Sequence, residues 1–148
     1  MVKYTDILKA VNSKLSSKFP TIKIVSESDV AEKIIRPSFM TMIDNIKQED
    51  FMLSSMDKDL TIRIYCFSTE RDKNKIENLN MIDSLNELFV EDGQLQLENF
   101  NIGIEETTAD IVDKVLSYSF DISFNEDYEK DYSNVGDMEE LGLDVEVK

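Results

Sequence analysis

The sequence predicts an α+β domain: an antiparallel or mixed sheet of about six strands with two amphipathic helices packed on one of its faces. Three observations carry this. Two stretches repeat apolar residues at helical spacing, several others alternate apolar and polar residues at period two, and most strand candidates follow one another closely along the chain. A length of 148 residues is enough for one domain with a real core.

The elements follow in order. Tyr4, Ile7, Leu8, Val11 and Leu15 form the apolar stripe of a first helix. Asp6 in its first turn and Lys14 and Lys18 near its end suit the helix dipole, and Pro20 stops it. Residues 21–25 read as a short strand, and 26–35 as a loop or short helix. Residues 39–43 read as a strand, with Pro37 just before it, where a missing N–H is tolerated. Residues 51–56 read as a weaker strand, paired with it through a hydrophilic turn at 47–50. Met40, Met42, Met52 and Met56 read as gap-filling core residues.

Leu60, Ile62, Ile64 and Cys66 alternate with Thr61, Arg63, Tyr65 and Phe67, so each set occupies one strand face. A second helix follows, with Ile76, Leu79, Ile82, Leu85 and Phe89 as its stripe. Asn74 is its N-cap, and Glu77 reaches back in a capping box. Asp92-Gly93 ends it. Leu95 and Leu97 alternate, then the phase slips to Phe100, Ile102 and Ile104, which calls for a bulge near Glu98-Asn99 or a break between strands. In "VLSYSFDISF", Leu116, Tyr118, Phe120, Ile122 and Phe124 share one face; Ser117, Ser119, Asp121 and Ser123 share the other. The chain thus divides into an α+β domain over residues 1–124, an acidic linker over 125–140 and a C-terminal strand over 141–148, in which Leu141, Leu143, Val145 and Val147 alternate.

Charge and residue usage narrow the function. Sixteen basic residues stand against 31 acidic ones, a net charge of −15, and residues 125–148 alone carry −7. Such a chain repels phosphate, so neither specific nucleic-acid binding nor an anionic membrane surface is expected. No apolar run approaches the roughly 20 residues of a bilayer span. The amphipathic start "MVKYTDILKAVNSKL" is not a signal h-region, so export through a signal peptide is not expected.

The sequence contains no histidine and a single cysteine, Cys66. That removes Ser-His-Asp and Cys-His nucleophiles, imidazole acid–base work and thiolate zinc sites. A calcium loop started at Asp131 fails, with Val135 at a ligand position and Gly142 in place of the closing Glu. The acid pairs Glu49-Asp50, Glu91-Asp92 and Glu105-Glu106 fall where solvated turns are expected. No catalytic, cofactor or metal residue is assigned. Within the loop "STERDKN", Arg71, Lys73 and Lys75 cluster in an otherwise acidic chain; they form a patch for an acidic neighbour or simply a solvated loop. The alternating residues Leu141 to Val147 suit a strand that adds to a sheet edge of its own domain, an adjacent subunit or another protein.

The order of elements also carries a resemblance. A helix ends in "KFP", a strand opens with "RPSFMTMI", and "DKDLTIRIYCFS" runs into a helix that closes with "LFVEDGQLQL". The paired strands "NFNIGIEETTADIVDKVLSYSFDISF" and then "MEELGLDVEVK" complete it. Over nearly its whole length the chain resembles the phage tail terminator family of contractile-tailed phages, defective prophages and phage-tail-like bacteriocins of Gram-positive bacteria. The acidic linker departs from that pattern. The resemblance implies a structural part without cofactor: a homo-oligomeric, usually hexameric ring on the head-proximal end of the tail tube. Such a ring ends tube polymerisation and meets the neck or connector and, in contractile tails, the sheath. It assembles in the bacterial cytoplasm and then belongs to the virion or tail-like particle. The competing class is an acidic inhibitor or DNA mimic that binds a basic partner; oligomeric state separates the two.

Overall fold

A computed structural model describes residues 2–26, 34–97 and 101–128. The segment 129–148 lies outside the described residues, and with it Leu141, Leu143, Val145 and Val147; most of 26–35 and the Glu98-Asn99 junction do so too. The elements are α1 (Tyr4–Lys18), β1 (Lys23–Ile24), β2 (Ser38–Phe51), β3 (Ser55–Phe67), α2 (Lys75–Asn86) with a π-helical turn (Glu87–Glu91), β4 (Gln94–Gln96), β5 (Asn101–Gly103), β6 (Thr107–Val112) and β7 (Val115–Asp127). The main sheet has five strands in the order β1-β2-β3-β7-β6, and β4 pairs with β5 in a separate two-stranded sheet. Only β1 runs parallel to its neighbour, so the main sheet is mixed. The α+β class with a mixed sheet is therefore the observed one. The phase slip after Leu97 is a break between strands, β4 and β5, which pair Leu95 with Ile102.

The period-two patterns decide which face is covered. Leu60, Ile62, Ile64 and Cys66 of β3 stand opposite Ile122, Phe120, Tyr118 and Leu116 of β7, and all eight are buried. Ile7, Val11 and Leu15 of α1 and Leu85 and Phe89 of the second helical segment join them in one cluster with Leu95 and Ile102. Both helices thus cover the same sheet face. The α1 lysines do more than complement its dipole. Lys14 pairs with Asp92 and donates to the Gln94 carbonyl at 2.8 Å, and Lys18 pairs with Glu87 at 2.7 Å, which ties α1 to the π-helical turn.

Three expectations need correction. First, residues 47–50 are not a turn. β2 continues through them, with Lys47 opposite Asp59 and Glu49 opposite Asp57, and the hairpin turns at Met52 and Leu53, both at positive φ. Residues 44–50 are exposed, so polar side chains suit this end of the hairpin and mimic a turn in the sequence. Asn45 at φ 51° marks a bulge between Asp44 and Lys47; asparagine tolerates that conformation better than most residues. Second, Met52 is not core: it is 78% exposed at the hairpin tip. Met40 and Met42, opposite Tyr65 and Arg63, are half-buried on the uncovered face. Third, only the later part of the second helix's stripe packs. Ile76 is 68% and Leu79 45% exposed, because among the described residues β6 ends the sheet and no strand lies beyond it. β7 also runs to Asp127, three residues past the boundary read at 124.

Two buried protonated groups give the fold a pH limit. Burial pushes the Cys66 thiol well above its ordinary value, and burial raises the Tyr118 phenol, partly offset by a side-chain hydrogen bond with Thr107. Unfolded, these groups lose protons near their ordinary values of about 8.5 and 10. Above those values the unfolded chain holds fewer protons than the folded one, so stability falls as pH rises. Thermal melts at constant ionic strength are expected to hold level from neutral pH to about 8 and to fall steadily above about 9. A melting temperature unchanged to about pH 11 would contradict the burial of these groups.

Candidate interaction surfaces

The face of the main sheet away from the helices has no covering layer among the described residues. Thr61, Arg63, Ser117, Ser119, Asp121 and Ser123 lie on it, as the alternation predicts, together with Asp44, Asp57 and Asp59. Its carboxylates are engaged with neighbouring strands. Thr61 donates to Asp121 at 2.6 Å, Asn125 to Asp57 at 2.6 Å and Ser123 to Asp59, while Arg63 reaches Asp44 at 3.5 Å. A shallow depression of about 490 Å³ is lined by Asn45, Lys47, Asp59, Thr61, Asp121 and Ser123 among others. The result is a flat, acidic, hydroxyl-rich wall.

The loop after β3 is built from buried amides. Asn74 is buried, yet its side chain does not cap α2. Its amide donates to Ser68 Oγ and to the Lys114 carbonyl, both at 2.8 Å, and Asn78 donates to the same carbonyl at 3.4 Å. Glu77 likewise forms no capping box. Its carboxylate accepts from the backbone N–H groups of Thr69 at 2.7 Å and Glu70 at 3.5 Å. These bonds fix the loop against the Asp113-Lys114 turn, whose two residues have φ of 52° and 66°, the conformation of a tight two-residue hairpin. Sequence alone hides these roles, because buried asparagines look like solvated ones until their partners are known.

Arg71, Lys73 and Lys75 are exposed on this loop and at the start of α2. A groove of about 430 Å³ opens beside them, between α2 and the edge strand β6, and its lining includes Lys73, Lys75, Ile76, Ile111 and Lys114. Among the described residues, Lys114 pairs with Asp72 at 3.4 Å, and Arg71, Lys73 and Lys75 have no carboxylate within salt-bridge distance. The apolar floor and basic rim suit an acidic, partly apolar chain segment.

No comparable chemistry gathers elsewhere. Cys66 is buried, and its raised thiol is a poor nucleophile. Glu49 and Asp50 are neighbours in one strand and so project to opposite faces. Asp92 is paired with Lys14, and Glu105-Glu106 is exposed ahead of β6. Among the described residues no three acidic or cysteine side chains are placed to hold a metal ion, and no helix is long and apolar enough to cross a membrane.

The described residues thus form a small α+β domain with an uncovered acidic sheet face and a basic-rimmed groove at its edge. A family model described as phage tail terminator protein matches residues 6–134. The chain belongs to the phage tail terminator family, and so is a structural component of a phage tail that works in contact with other tail proteins. No curated protein matches it.

Proposed function

We propose that the chain caps the head-proximal end of the tail tube as a closed homo-oligomeric ring, hexameric by its family resemblance. The ring ends polymerisation of the tube protein and offers its remaining surfaces to the neck or connector and, in a contractile tail, to the last sheath ring. It assembles in the cytoplasm of the bacterial host, a Gram-positive one by the same resemblance, and stays in the virion or tail-like particle. It acts by binding, with no turnover, cofactor or metal.

The observation that carries this reading is the family match across residues 6–134. The uncovered acidic sheet face supports it, since a wall bearing Asp44, Asp57, Asp59 and Asp121 beside a DNA channel would not hold the passing phosphate backbone. Its serines, the Arg71-Lys73-Lys75 cluster and the alternating segment from Leu141 to Val147 are the surfaces proposed for subunit contacts.

The test is polymerisation of the cognate tube protein with and without the chain, scored by tube length. Capping predicts shorter tubes at amounts of chain far below those of tube protein. Unchanged lengths, with the chain remaining a monomer at every salt concentration, would overturn the reading in favour of a one-to-one binder.

A further inference from the structure

We propose that the groove between α2 and β6 receives the segment from Leu141 to Val147 of the neighbouring copy, which adds to β6 as an antiparallel strand. This rests on the ring reading above and names the contact that joins its subunits.

The main sheet has an unfinished edge. β6 ends the sheet, with backbone donors and acceptors free on its outer side among the described residues. Ile76 and Ile111 line the adjacent groove, and Leu79 stands exposed one turn further along α2. A strand laid beside β6 with apolar residues at period two would turn them toward Ile76 and Ile111 and continue the core by one strand. Leu141, Leu143, Val145 and Val147 supply that period, and Asp144 and Glu146 then face the acidic, solvated side. The lengths agree: β6 has 6 residues.

Charge sets the direction. The groove's basic rim, Lys73 and Lys75 beside the Lys114–Asp72 pair, lies at the end of β6 that turns into β7. The acids that precede the apolar repeat are Asp137, Glu139 and Glu140. They meet the basic rim only when the added strand enters at that end and so runs antiparallel to β6.

Reach then decides between a chain's own groove and its neighbour's. The described chain ends at Tyr128, beyond the far end of β7. The basic rim stands at the start of β7, about 40 Å away along the strand. The 13 steps from Tyr128 to Leu141 span about 43–47 Å fully extended. The segment could therefore enter its own groove in this direction only on a linker drawn taut, which costs the conformational freedom of every linking residue. Donor and acceptor at opposite ends of one subunit make a head-to-tail contact, the kind that closes a ring of identical copies.

The test uses the full-length chain. One preparation carries Ile111→Cys and another Leu141→Cys; they are mixed with tail tubes and oxidised. Native Cys66 is buried, and wild-type chain supplies its background. A disulfide-linked dimer in the mixture, absent from either preparation alone, is the expected result. A chain carrying both substitutions should give a ladder of linked oligomers. A double variant that closes only on itself, or a mixture without dimer on tubes that wild-type chain demonstrably shortens, overturns the proposal and leaves the capping function standing. Wild-type chain that fails to shorten tubes removes the capping function instead, whatever the cross-linking shows.

Discussion

Replacing Lys58 with alanine is expected to destabilise the fold by about 3–5 kcal/mol, a large part of the roughly 5–15 kcal/mol typical of a domain. Lys58 is a charged residue on the helix-covered face, only 3% exposed. Its ammonium lies 3.4 Å from the buried Glu126 carboxylate and 3.3 Å from the Val2 carbonyl, and 5.1 Å from the centre of the Tyr4 ring. Glu126 also accepts from the Val2 N–H. The cluster pins the start of the chain to the beginning of β3 and the end of β7. Removing the lysine strands a carboxylate in a site closed to water, and the cost is mainly that of the orphaned charge. Replacing both partners with apolar residues, Lys58→Met with Glu126→Leu, should recover most of the loss. Urea midpoints of the wild type, single and double variants measure this directly. A single variant as stable as wild type would show that the pair is not sealed from solvent.

Phe89→Ala is the second large effect. Phe89 is fully buried in the π-helical turn, with its ring centre 4.9 Å from that of Phe120 and 6.0 Å from that of Tyr118. The Lys14 ammonium caps it at 5.9 Å. The ring therefore joins both helical segments to β7. Its deletion leaves a cavity among side chains held by the sheet, at about 3–5 kcal/mol. For a chain of this length that lowers the melting temperature by on the order of 10 °C. A drop of only a degree or two in a thermal scan would mean that the helices close over the gap.

Much of the scaffold was legible in the sequence. Where one face is dry and the other wet, as in β7, the pattern from Leu116 to Phe124 could be read residue by residue, and so could the stripe from Ile7 to Leu15 in α1. Legibility failed where both faces meet water. The distal half of β2 is polar on both sides and looks like a turn, while the turn itself, Met52-Leu53, is apolar. It failed again where polar groups are buried with partners distant in sequence. Lys58 and Glu126 stand 68 residues apart, and Asn74 reaches Lys114 across 40. Nothing local marks such residues as interior. Of the candidate contact residues, Arg71, Lys73 and Lys75 could be found as an anomaly of charge. The groove beside them could not, because it forms only when α2 projects past the last strand.

On the proposed function, this chain closes into a ring on one end of a tail tube. Electron microscopy of tubes assembled with the purified chain tests it most directly. Averaged tube ends should carry a closed ring of extra density at one end only, with its symmetry matched to the tube. Bare ends, chain decorating the tube along its length, or equal density at both ends would contradict it.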